Sequence, residues 1–265
     1  MIIDSHCHLD DRAFDEDRDA VVARAREAGV GAMLSIGTGD GPPGLDVAIK
    51  MADRYDAVYA TVGIHPHDAA KADEPAFENL QGLLKHPKVL ALGEIGLDFH
   101  YDNSPRERQR EVFVRQMEIA REAGKPIVIH TRDAWDDTMA LLDEHWAASG
   151  LGCLLHCFSG NEEQAKQAVE RGFHVAYGGV LTFFRADDVR AGSAHVPLER
   201  ILVETDAPYL TPAPHRKVRR NEPCYVVHTI QRLAELKGLS YDEVAERTTR
   251  NFCDFFGLPT SALGV

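Results

Sequence analysis

The chain has 265 residues, of which 44% are hydrophobic and 27% are charged, and its formal net charge is −13. The composition is that of a soluble globular protein, and the acidic balance argues against a broad basic face that binds long nucleic acids. Since no run of about 18 apolar residues is present, we expect no membrane-spanning segment.

The amino terminus and the cysteines bear on the cellular compartment. Met1 to Asp4 lead directly into a predicted strand, without the basic and apolar regions of a signal peptide, so we do not expect export. The five cysteines are odd in number and lack the spacing of a small disulfide-bonded domain, which favours a reducing environment. Cys153 and Cys157 could hold zinc, but their apolar setting favours packing in a buried strand. We therefore predict a cytoplasmic protein with no obligate protein partner evident.

Short β-branched and aliphatic runs alternate with longer amphipathic segments along the whole chain. Eight strands alternating with helices predict parallel pairing, because parallel strands need crossover connections. Closure of these strands predicts an α/β fold of the (β/α)8 TIM barrel type, with residues 1–265 forming a single domain. An open doubly wound sheet is the alternative on pattern alone. The predicted strands lie near Ile2–Ser5, Ala32–Ile36, Ala57–Val62, Val89–Leu92, Ile127–Ile129, Leu151–Leu155, His174–Tyr177 and Ile201–Val203.

The segments between these strands carry helix start and stop signals. Pro105 is well placed to begin a helix after Asn103 and Ser104. Several predicted helices end at a glycine that can adopt the left-handed conformation, as at Gly124. The delimited helices are Asp15–Ala28, Pro105–Ala123, Ala134–Ala147, Glu162–Arg171 and a final one, Tyr241–Phe256.

Side chains with metal-binding chemistry follow several predicted strands. The carboxyl ends of the strands share one rim of a barrel, where the chemistry of such folds gathers. His6 and His8 lie two residues apart, so they project to the same face of an extended strand. Imidazole suits zinc and similar divalent metals, although an exposed strand can carry such a pair without binding any metal. The other strand ends add Glu94, Asp98, His130, His156, Glu204 and Asp206.

The coincidence of these groups on one rim predicts a metal site. Six of these residues are candidate ligands, more than one tetrahedral site can use, so we predict two divalent cations bridged by Glu94; the six are His6, His8, Glu94, His130, His156 and Asp206. Asp206 can bind one cation and accept a proton from the attacking water, which makes it the predicted general base. A carboxylated lysine is the alternative bridge, but Lys88 lies at the start of its strand, on the opposite rim. Zinc, magnesium, manganese and nickel all remain possible.

Ordered motifs extend over nearly the whole chain. They are D-S-H-C-H-L-D at 4–10, G-I-H-P-H at 63–67, G-E-I-G-L-D at 93–98, H-x-R at 130–132, H-C-F-S-G at 156–160, E-T-D-A-P-Y-L at 204–210 and N-E-P at 221–223. Together they resemble the TatD family of metal-dependent deoxyribonucleases, within the amidohydrolase superfamily of TIM barrels.

The resemblance implies a role for each ligand candidate. It implies that His6 and His8 bind the first metal with Asp206, and that Glu94 bridges the two metals. His130 and His156 are implied as ligands of the second metal. His65 is implied in binding a substrate phosphate or a further metal.

Two residues near the ligand motifs are candidates for supporting roles. Arg132 can contact a phosphate, since a guanidinium group matches phosphate oxygens in a bidentate manner. Glu204 can act as a carboxylate that orients a ligand histidine.

The segment 214–223 is basic and departs from the family. It reads P-H-R-K-V-R-R-N-E-P, whereas the family's loop is approximately P-x-R-G-K-R-N-E-P, so it is one residue longer and lacks the glycine. We predict that Arg216, Arg219 and Arg220 contact phosphates of the DNA backbone, with a solvated charge run as the alternative. Phe183 and Phe184, after the seventh strand, could stack on a base or pack in the core.

These features predict a metal-dependent deoxyribonuclease of the exonuclease type. It would cleave DNA phosphodiester bonds at single-stranded ends with a water activated by two metals. An acidic protein with one basic loop is suited to such a short single-stranded end. One alternative is a metallohydrolase that cleaves an amide, lactone or phosphoester bond of a small molecule. Another is a metal-binding protein without turnover.

Overall fold

The structure is a computed structural model, and it describes residues 1–259. Its eight strands follow the chain order in the sheet, and the pairings within it are parallel. This arrangement confirms the predicted (β/α)8 barrel and excludes the doubly wound alternative. The strands are β1 (Ile2–Cys7), β2 (Val30–Ser35), β3 (Val58–Val62), β4 (Val89–Asp98), β5 (Ile127–Arg132), β6 (Cys153–Leu155), β7 (His174–Tyr177) and β8 (Ile201–Val203).

Nine α-helices connect or follow these strands within residues 1–259. Five of them, α1, α4, α5, α6 and α9 in the list below, correspond to the segments predicted above. None is long and apolar enough to cross a membrane. The helices are α1 (Arg18–Glu27), α2 (Val47–Arg54), α3 (Glu74–Leu83), α4 (Arg106–Ala123), α5 (Trp135–His145), α6 (Glu162–Glu170), α7 (Asp187–His195), α8 (Val226–Lys237) and α9 (Tyr241–Phe256).

The described chain divides into two compact units. The first unit consists of residues 1–35 and the residues from His156 onward, and the second unit consists of residues 36–155. Strands β1, β2, β7 and β8 therefore belong to the first unit, and β3 to β6 belong to the second. A single domain over residues 1–265 stays a prediction, and residues 260–265 lie outside the described part.

In the first unit, backbone hydrogen bonds join the ends of β1 and β8. The Asp206 amide donates to the His6 carbonyl at 2.9 Å, and the His8 amide donates to the Ala207 carbonyl at 2.8 Å. Helix α9 packs on both strands. It begins with a capping box between Ser240 and Glu243, in which each side chain accepts a hydrogen bond from the other residue's backbone. The two strand ends are thus held in a fixed register.

In the second unit, β4 is longer than the sequence indicates. Its ten residues are all buried, and it pairs with β5 as far as Asp98. Gly96 lies opposite His130, with a φ of 139°, and a Cβ at this position would lie 2.0 Å from the His130 carbonyl oxygen. Only glycine fits there, because it has no Cβ and tolerates positive φ. The two strands therefore lie close together here, with Glu94 on one and His130 on the other.

Two buried glutamines of α4 satisfy the polar backbone at the ends of the neighbouring strands. Gln116 accepts from the Ile64 amide at 2.7 Å and donates to the Ile64 carbonyl at 3.0 Å. Gln109 does the same for Asp98, at 2.8 and 3.0 Å. Since buried backbone groups are strongly stabilised by such partners, these contacts fix the segments that carry His65 and Asp98.

Candidate metal centre

The first unit gathers four predicted ligands, which we call the first-unit cluster: His6, His8, His156 and Asp206. The Asp206 carboxylate lies 3.6 Å from His6 Nε2 and 3.4 Å from His8 Nε2, measured from the same oxygen, Oδ1. The His6 and His156 rings are stacked, with their centroids 4.0 Å apart. Ligand atoms of His6, His156 and Asp206 all lie within 4.8 Å of one another.

These separations suit the ligands of a cation. Two atoms that each lie about 2.1 Å from one ion at a tetrahedral angle are about 3.4 Å apart. A direct imidazole–carboxylate hydrogen bond is shorter, at about 2.7–3.0 Å. The donor set of imidazoles and a carboxylate is also the one that zinc and related divalent metals prefer. The residues of the first-unit cluster therefore fit a metal ion.

The Asp206 carboxylate is kept ionised by its surroundings. Burial on its own raises the pKa of Asp206, but the polar contact with His8, 3.4 Å away, and the charges of His6, His8 and His156 outweigh it, so that the pKa lies below the usual value. Asp206 adopts a left-handed φ of 57°, a conformation that aspartate tolerates better than most residues. An ionised carboxylate can both bind a cation and accept a proton.

Two further buried carboxylates support the histidines of this cluster. Glu204 accepts a hydrogen bond from the Cys157 amide at 2.6 Å and lies 3.5 Å from His156 Nδ1. Asp4 accepts from the Thr205 hydroxyl at 2.6 Å and from the His6 amide at 3.3 Å. Burial raises the pKa of Asp4 to about 8, although the hydrogen bonds from Thr205 oppose the shift. Asp4 thus holds the backbone of His6 in place, and Glu204 is the carboxylate next to the His156 ring, where it can orient that side chain.

The second unit gathers its own set of ligands, which we call the second-unit cluster: His65, Glu94, Asp98 and His130. Ligand atoms of His65, Glu94 and His130 lie within 4.8 Å of one another. His65 Nε2 is 3.6 Å from Glu94 Oε1, which is again a separation that suits two ligands of one cation. Burial lowers the pKa of His65 to about 4, against the attraction of Glu94. His65 is therefore neutral at physiological pH, as metal ligation requires.

His130 is held on both sides of its ring by carboxylates. Its Nδ1 lies 2.8 Å from Glu94 Oε1, and its Nε2 lies 2.9 Å from Asp98 Oδ2. The same oxygen of Asp98 accepts a hydrogen bond from His67 Nε2 at 3.0 Å. Burial raises the pKa of Asp98, but hydrogen bonds from His130, the Tyr101 backbone and His67 bring it well below the usual range.

Asp98 also caps the loop that follows β4. Its second oxygen accepts from the backbone amides of His100 and Tyr101, at 3.0 and 2.9 Å. His67 is a neighbour of the site that the sequence did not single out, because H-P-H reads as a loop turn. The repeated histidine at 65 and 67 is the signal that points to it.

The arginines predicted to contact phosphates differ in exposure and in their contacts with other residues of the protein. Arg132 is exposed and lies over the Tyr101 ring, 4.9 Å from its centroid. Arg216 is exposed and lies 3.7 Å over the Phe183 ring, and Arg219 is exposed as well. Arg220 instead makes two hydrogen bonds to Asp17, at 2.6 and 2.8 Å, and one to Glu222 at 2.8 Å.

The structure thus brings the predicted ligands together in two groups. His6, His8, His156 and Asp206 come together in the first unit, and Glu94 and His130 come together with His65 in the second. That His130 and His156 share the second metal, and that Glu94 bridges, stay predictions.

Comparison with known proteins identifies the family. The family model described as TatD related DNase matches residues 3–257. The chain is 39% identical over 251 residues to "Uncharacterized metal-dependent hydrolase YabD" of Bacillus subtilis (strain 168), covering 95% of this chain and 97% of that protein. It is 40% identical over 229 residues to "3'-5' ssDNA/RNA exonuclease TatD" of Cronobacter sakazakii, covering 85% and 86%.

A solved structure agrees with this assignment. The crystal structure of YJJV, a TatD homologue from Escherichia coli K12, superimposes with a TM-score of 0.89 at 32% identity and covers 97% of this chain and 98% of that one. The match extends over both units and over every strand that carries a candidate ligand. The chain therefore belongs to the TatD family, and it is a metal-dependent hydrolase.

Proposed function

We propose that this hydrolase is an exonuclease-type deoxyribonuclease that removes nucleotides from single-stranded DNA ends. The observation that carries the proposal is the first-unit cluster within a chain of the TatD family. In this cluster an ionised Asp206 lies at a distance from two histidines that suits ligands of one cation. The similarity to a protein named as an ssDNA/RNA exonuclease supports a nucleic-acid substrate.

We assign two divalent cations to the site, drawn from zinc, magnesium, manganese and nickel. His6, His8 and Asp206 would hold the first, His130 and His156 would hold the second, and Glu94 would bridge them. The support is that all six lie in the carboxyl-terminal half of a strand of a (β/α)8 barrel or in the segment that follows it, where the chemistry of such barrels gathers. When bound, such a pair of ions activates a water molecule and stabilises the charge that develops on the phosphate.

The protein's own side chains perform the remaining steps. Asp206 accepts the proton of the attacking water at its carboxylate, which its histidine neighbours keep ionised. Glu204 orients His156, and Asp98 orients His130, through their contacts with the ring nitrogens. His65 stands beside Glu94, where a neutral imidazole can bind a cation or donate a hydrogen bond to a phosphate.

Exposed arginines of both units hold the phosphates in this proposal. Arg132, Arg216 and Arg219 are exposed, and guanidinium groups bind phosphate oxygens in a bidentate manner. We give Arg220 the weakest claim to a direct contact, since Asp17 and Glu222 already accept its hydrogen bonds. A net charge of −13 with only local basic groups suits a short strand end better than a long duplex. We also propose that the enzyme acts in the cytoplasm and without an obligate protein partner.

The test is hydrolysis of end-labelled single-stranded DNA and of a chromogenic phosphodiester, with each metal added back after chelation. We expect stepwise shortening of the labelled strand only when a divalent metal is restored. Blunt duplex and single-stranded RNA of the same sequence serve as comparison substrates. Absence of turnover with every metal would overturn the proposal, as would strong, salt-sensitive binding to blunt duplex without preference for ends. Turnover of small esters alone, unaffected by Arg216→Gln and Arg219→Gln, would favour the small-molecule hydrolase.

A further inference from the structure

The loops that follow β7 and β8 are joined into one surface of the first unit. Gly179 packs so closely on the β8 loop that a Cβ there would lie 2.1 Å from the Leu210 carbonyl oxygen. The Thr182 hydroxyl accepts a hydrogen bond from the Ala213 amide at 2.8 Å and donates one to the Gly179 carbonyl at 2.7 Å. Arg216 adds a third link, because it lies over the Phe183 ring. These contacts hold the two loops in fixed positions relative to each other.

Phe184 projects from this surface into solvent. Its side chain is 93% exposed, the highest value among the exposed large hydrophobic residues of the described chain. The backbone beneath it is nevertheless fixed, since Arg190 donates to the carbonyl oxygens of Phe183 and Phe184, at 2.6 and 3.3 Å. An exposed phenylalanine ring forgoes the free energy of apolar burial, and the fixed backbone holds this ring outward, where a ligand can reach it.

The surroundings of Phe184 are basic. A surface groove of about 470 Å³ is lined by Phe183, Phe184, Arg185, Arg190 and Arg232, together with Thr182 and one acidic residue, Asp187. Asp187 pairs with Arg190, and Arg232 pairs with Glu235 at 2.9 Å, whereas Arg185 is exposed. A local excess of guanidinium groups in a protein with a net charge of −13 favours an anionic ligand.

Tyr209 connects this surface to the first-unit cluster. Its ring is 53% exposed and lies edge-on to the His8 ring, at a centroid distance of 5.8 Å. Its amide donates to the Asp206 carbonyl at 2.8 Å, and the next residue, Leu210, is the one that contacts Gly179. Tyr209 therefore lies beside a metal-ligand candidate on the same pair of joined loops that carries Phe184.

We propose that Phe184, with Arg185 and Arg216, forms a base-stacking subsite for a single-stranded nucleic acid. A base of the strand, other than that of the nucleotide being removed, stacks on Phe184, and the flanking phosphates lie against Arg185 and Arg216. Aromatic rings beside guanidinium groups are the elements from which proteins build sequence-tolerant single-strand sites. The proposal of this subsite rests on the proposed nuclease function. The subsite would make the enzyme prefer single-stranded oligonucleotides to mononucleotides.

The ring of Phe184 is tested by two substitutions that separate stacking from hydrophobicity. Phe184→Leu keeps an apolar side chain without a ring, and we expect the ratio of kcat/KM for an oligothymidylate to that for a chromogenic phosphodiester to fall about tenfold. Phe184→Trp keeps the ring, and we expect it to retain the wild-type ratio. Leu239→Ala removes an exposed apolar side chain between α8 and α9 and should leave the ratio unchanged.

Binding without turnover gives an independent readout. In the presence of a chelator, oligothymidylate should quench the fluorescence of Phe184→Trp beyond the change seen for the wild type, whose tryptophans are Trp135 and Trp146. An oligonucleotide without bases should not quench it. Arg185→Gln should weaken oligothymidylate binding several-fold, whereas Arg26→Gln, an exposed arginine near the end of α1, should not.

The outcomes separate the subsite from the nuclease function. If the wild type cleaves oligothymidylate but Phe184→Leu keeps the wild-type ratio, the subsite is wrong and the nuclease stands. If the wild type cleaves no oligonucleotide at all, the proposed function itself fails. A change of oligomeric state in Phe184→Leu, without any effect on nucleotide binding, would identify the surface as a protein interface and overturn the subsite.

Discussion

The two clusters contain similar residue types but differ in how carboxylate and imidazole meet. In the first-unit cluster the carboxylate stands 3.4 and 3.6 Å from two ring nitrogens, a separation suited to a shared cation. In the second-unit cluster both nitrogens of His130 lie within 2.9 Å of carboxylate oxygens, which is hydrogen-bond distance. The measured pairs of the first cluster are thus spaced for an ion, whereas the second cluster combines one such pair, His65 and Glu94, with a histidine held directly by two carboxylates.

The two clusters are also positioned by different means. Backbone hydrogen bonds between the ends of β1 and β8 set the distance from His6 and His8 to Asp206. In the second unit one side chain, Asp98, accepts hydrogen bonds from two histidine rings and two backbone amides. We therefore expect substitutions in the first cluster to act mainly on the reaction and substitutions around Asp98 to act mainly on metal affinity.

The largest effect should come from Asp206→Asn. The amide cannot accept the proton of the attacking water and is a poorer ligand, so we expect kcat to fall about 10³-fold or more. End-labelled DNA hydrolysis at saturating metal measures this loss. Asp254→Asn, the same substitution at an exposed position of α9, should retain full activity. If Asp206→Asn retained the wild-type rate, Asp206 would not be the general base.

A smaller effect, of a different kind, is expected from Asp98→Asn. The asparagine keeps the size of the side chain but loses the charge that holds His130, so metal affinity should fall about 10- to 100-fold. Competition with a chromogenic chelator measures the affinity, and excess metal should restore much of the rate. Asp133→Asn is the matched control, since Asp133 contacts His100 at 3.0 Å in an exposed pair. Equal affinities for the two variants would contradict the positioning role of Asp98.

The sequence predicted the first-unit cluster more fully than the second. The period-two geometry of a strand and the rule that chemistry lies at strand ends were enough to select His6 and His8. Strands His174–Tyr177 and Ile201–Val203 were also predicted with their observed bounds. These features are local, so a single strand's pattern contains the information.

The second-unit cluster depends on contacts that no local pattern carries. The predicted fourth strand lay near Val89–Leu92, yet pairing with β5 makes Gly93–Asp98 a fully buried part of β4. Gly96 is required by the approach of His130, a residue 34 positions away in sequence. His67 reads as part of a turn until its contact with Asp98 is seen.

The role of the basic segment 214–223 also depends on contacts that are distant in sequence. It is the subject of a third prediction. Arg220 bonds to Asp17, about two hundred residues earlier in the chain, so its sequence neighbours do not reveal its role. We expect Arg220→Gln to lower the free energy of unfolding by about 1–2 kcal/mol, a value discounted for partial exposure. Urea denaturation measures it, with Arg219→Gln, at an exposed neighbouring position, expected within about 0.5 kcal/mol of wild type. Unchanged stability together with a raised KM for DNA would instead make Arg220 a substrate contact.

The smallest effect is the pH dependence of this ion pair. Hydrogen bonds from Arg220, opposed by slight burial and helped by Arg24, lower the pKa of Asp17 to about 2 from its ordinary value of 3.8. Because the folded-state pKa is the lower one, the stabilisation is fully present above about pH 4 and is lost as the pH falls through about 2. Asp17→Asn should therefore be less stable than wild type by about 1 kcal/mol near neutral pH, after allowance for solvent screening.

That difference should shrink steadily between pH 4 and pH 2 in urea denaturation experiments. Wild-type Asp17 becomes protonated over this range and loses its charge, whereas the asparagine of the variant is uncharged throughout. A difference for Asp17→Asn that stays constant with pH would mean that the residue stabilises the first unit by packing or neutral hydrogen bonds. The Asp17–Arg220 ion pair would then add nothing to the stability of the first unit, although Arg220 would still donate to Glu222 and to the Ala13 carbonyl.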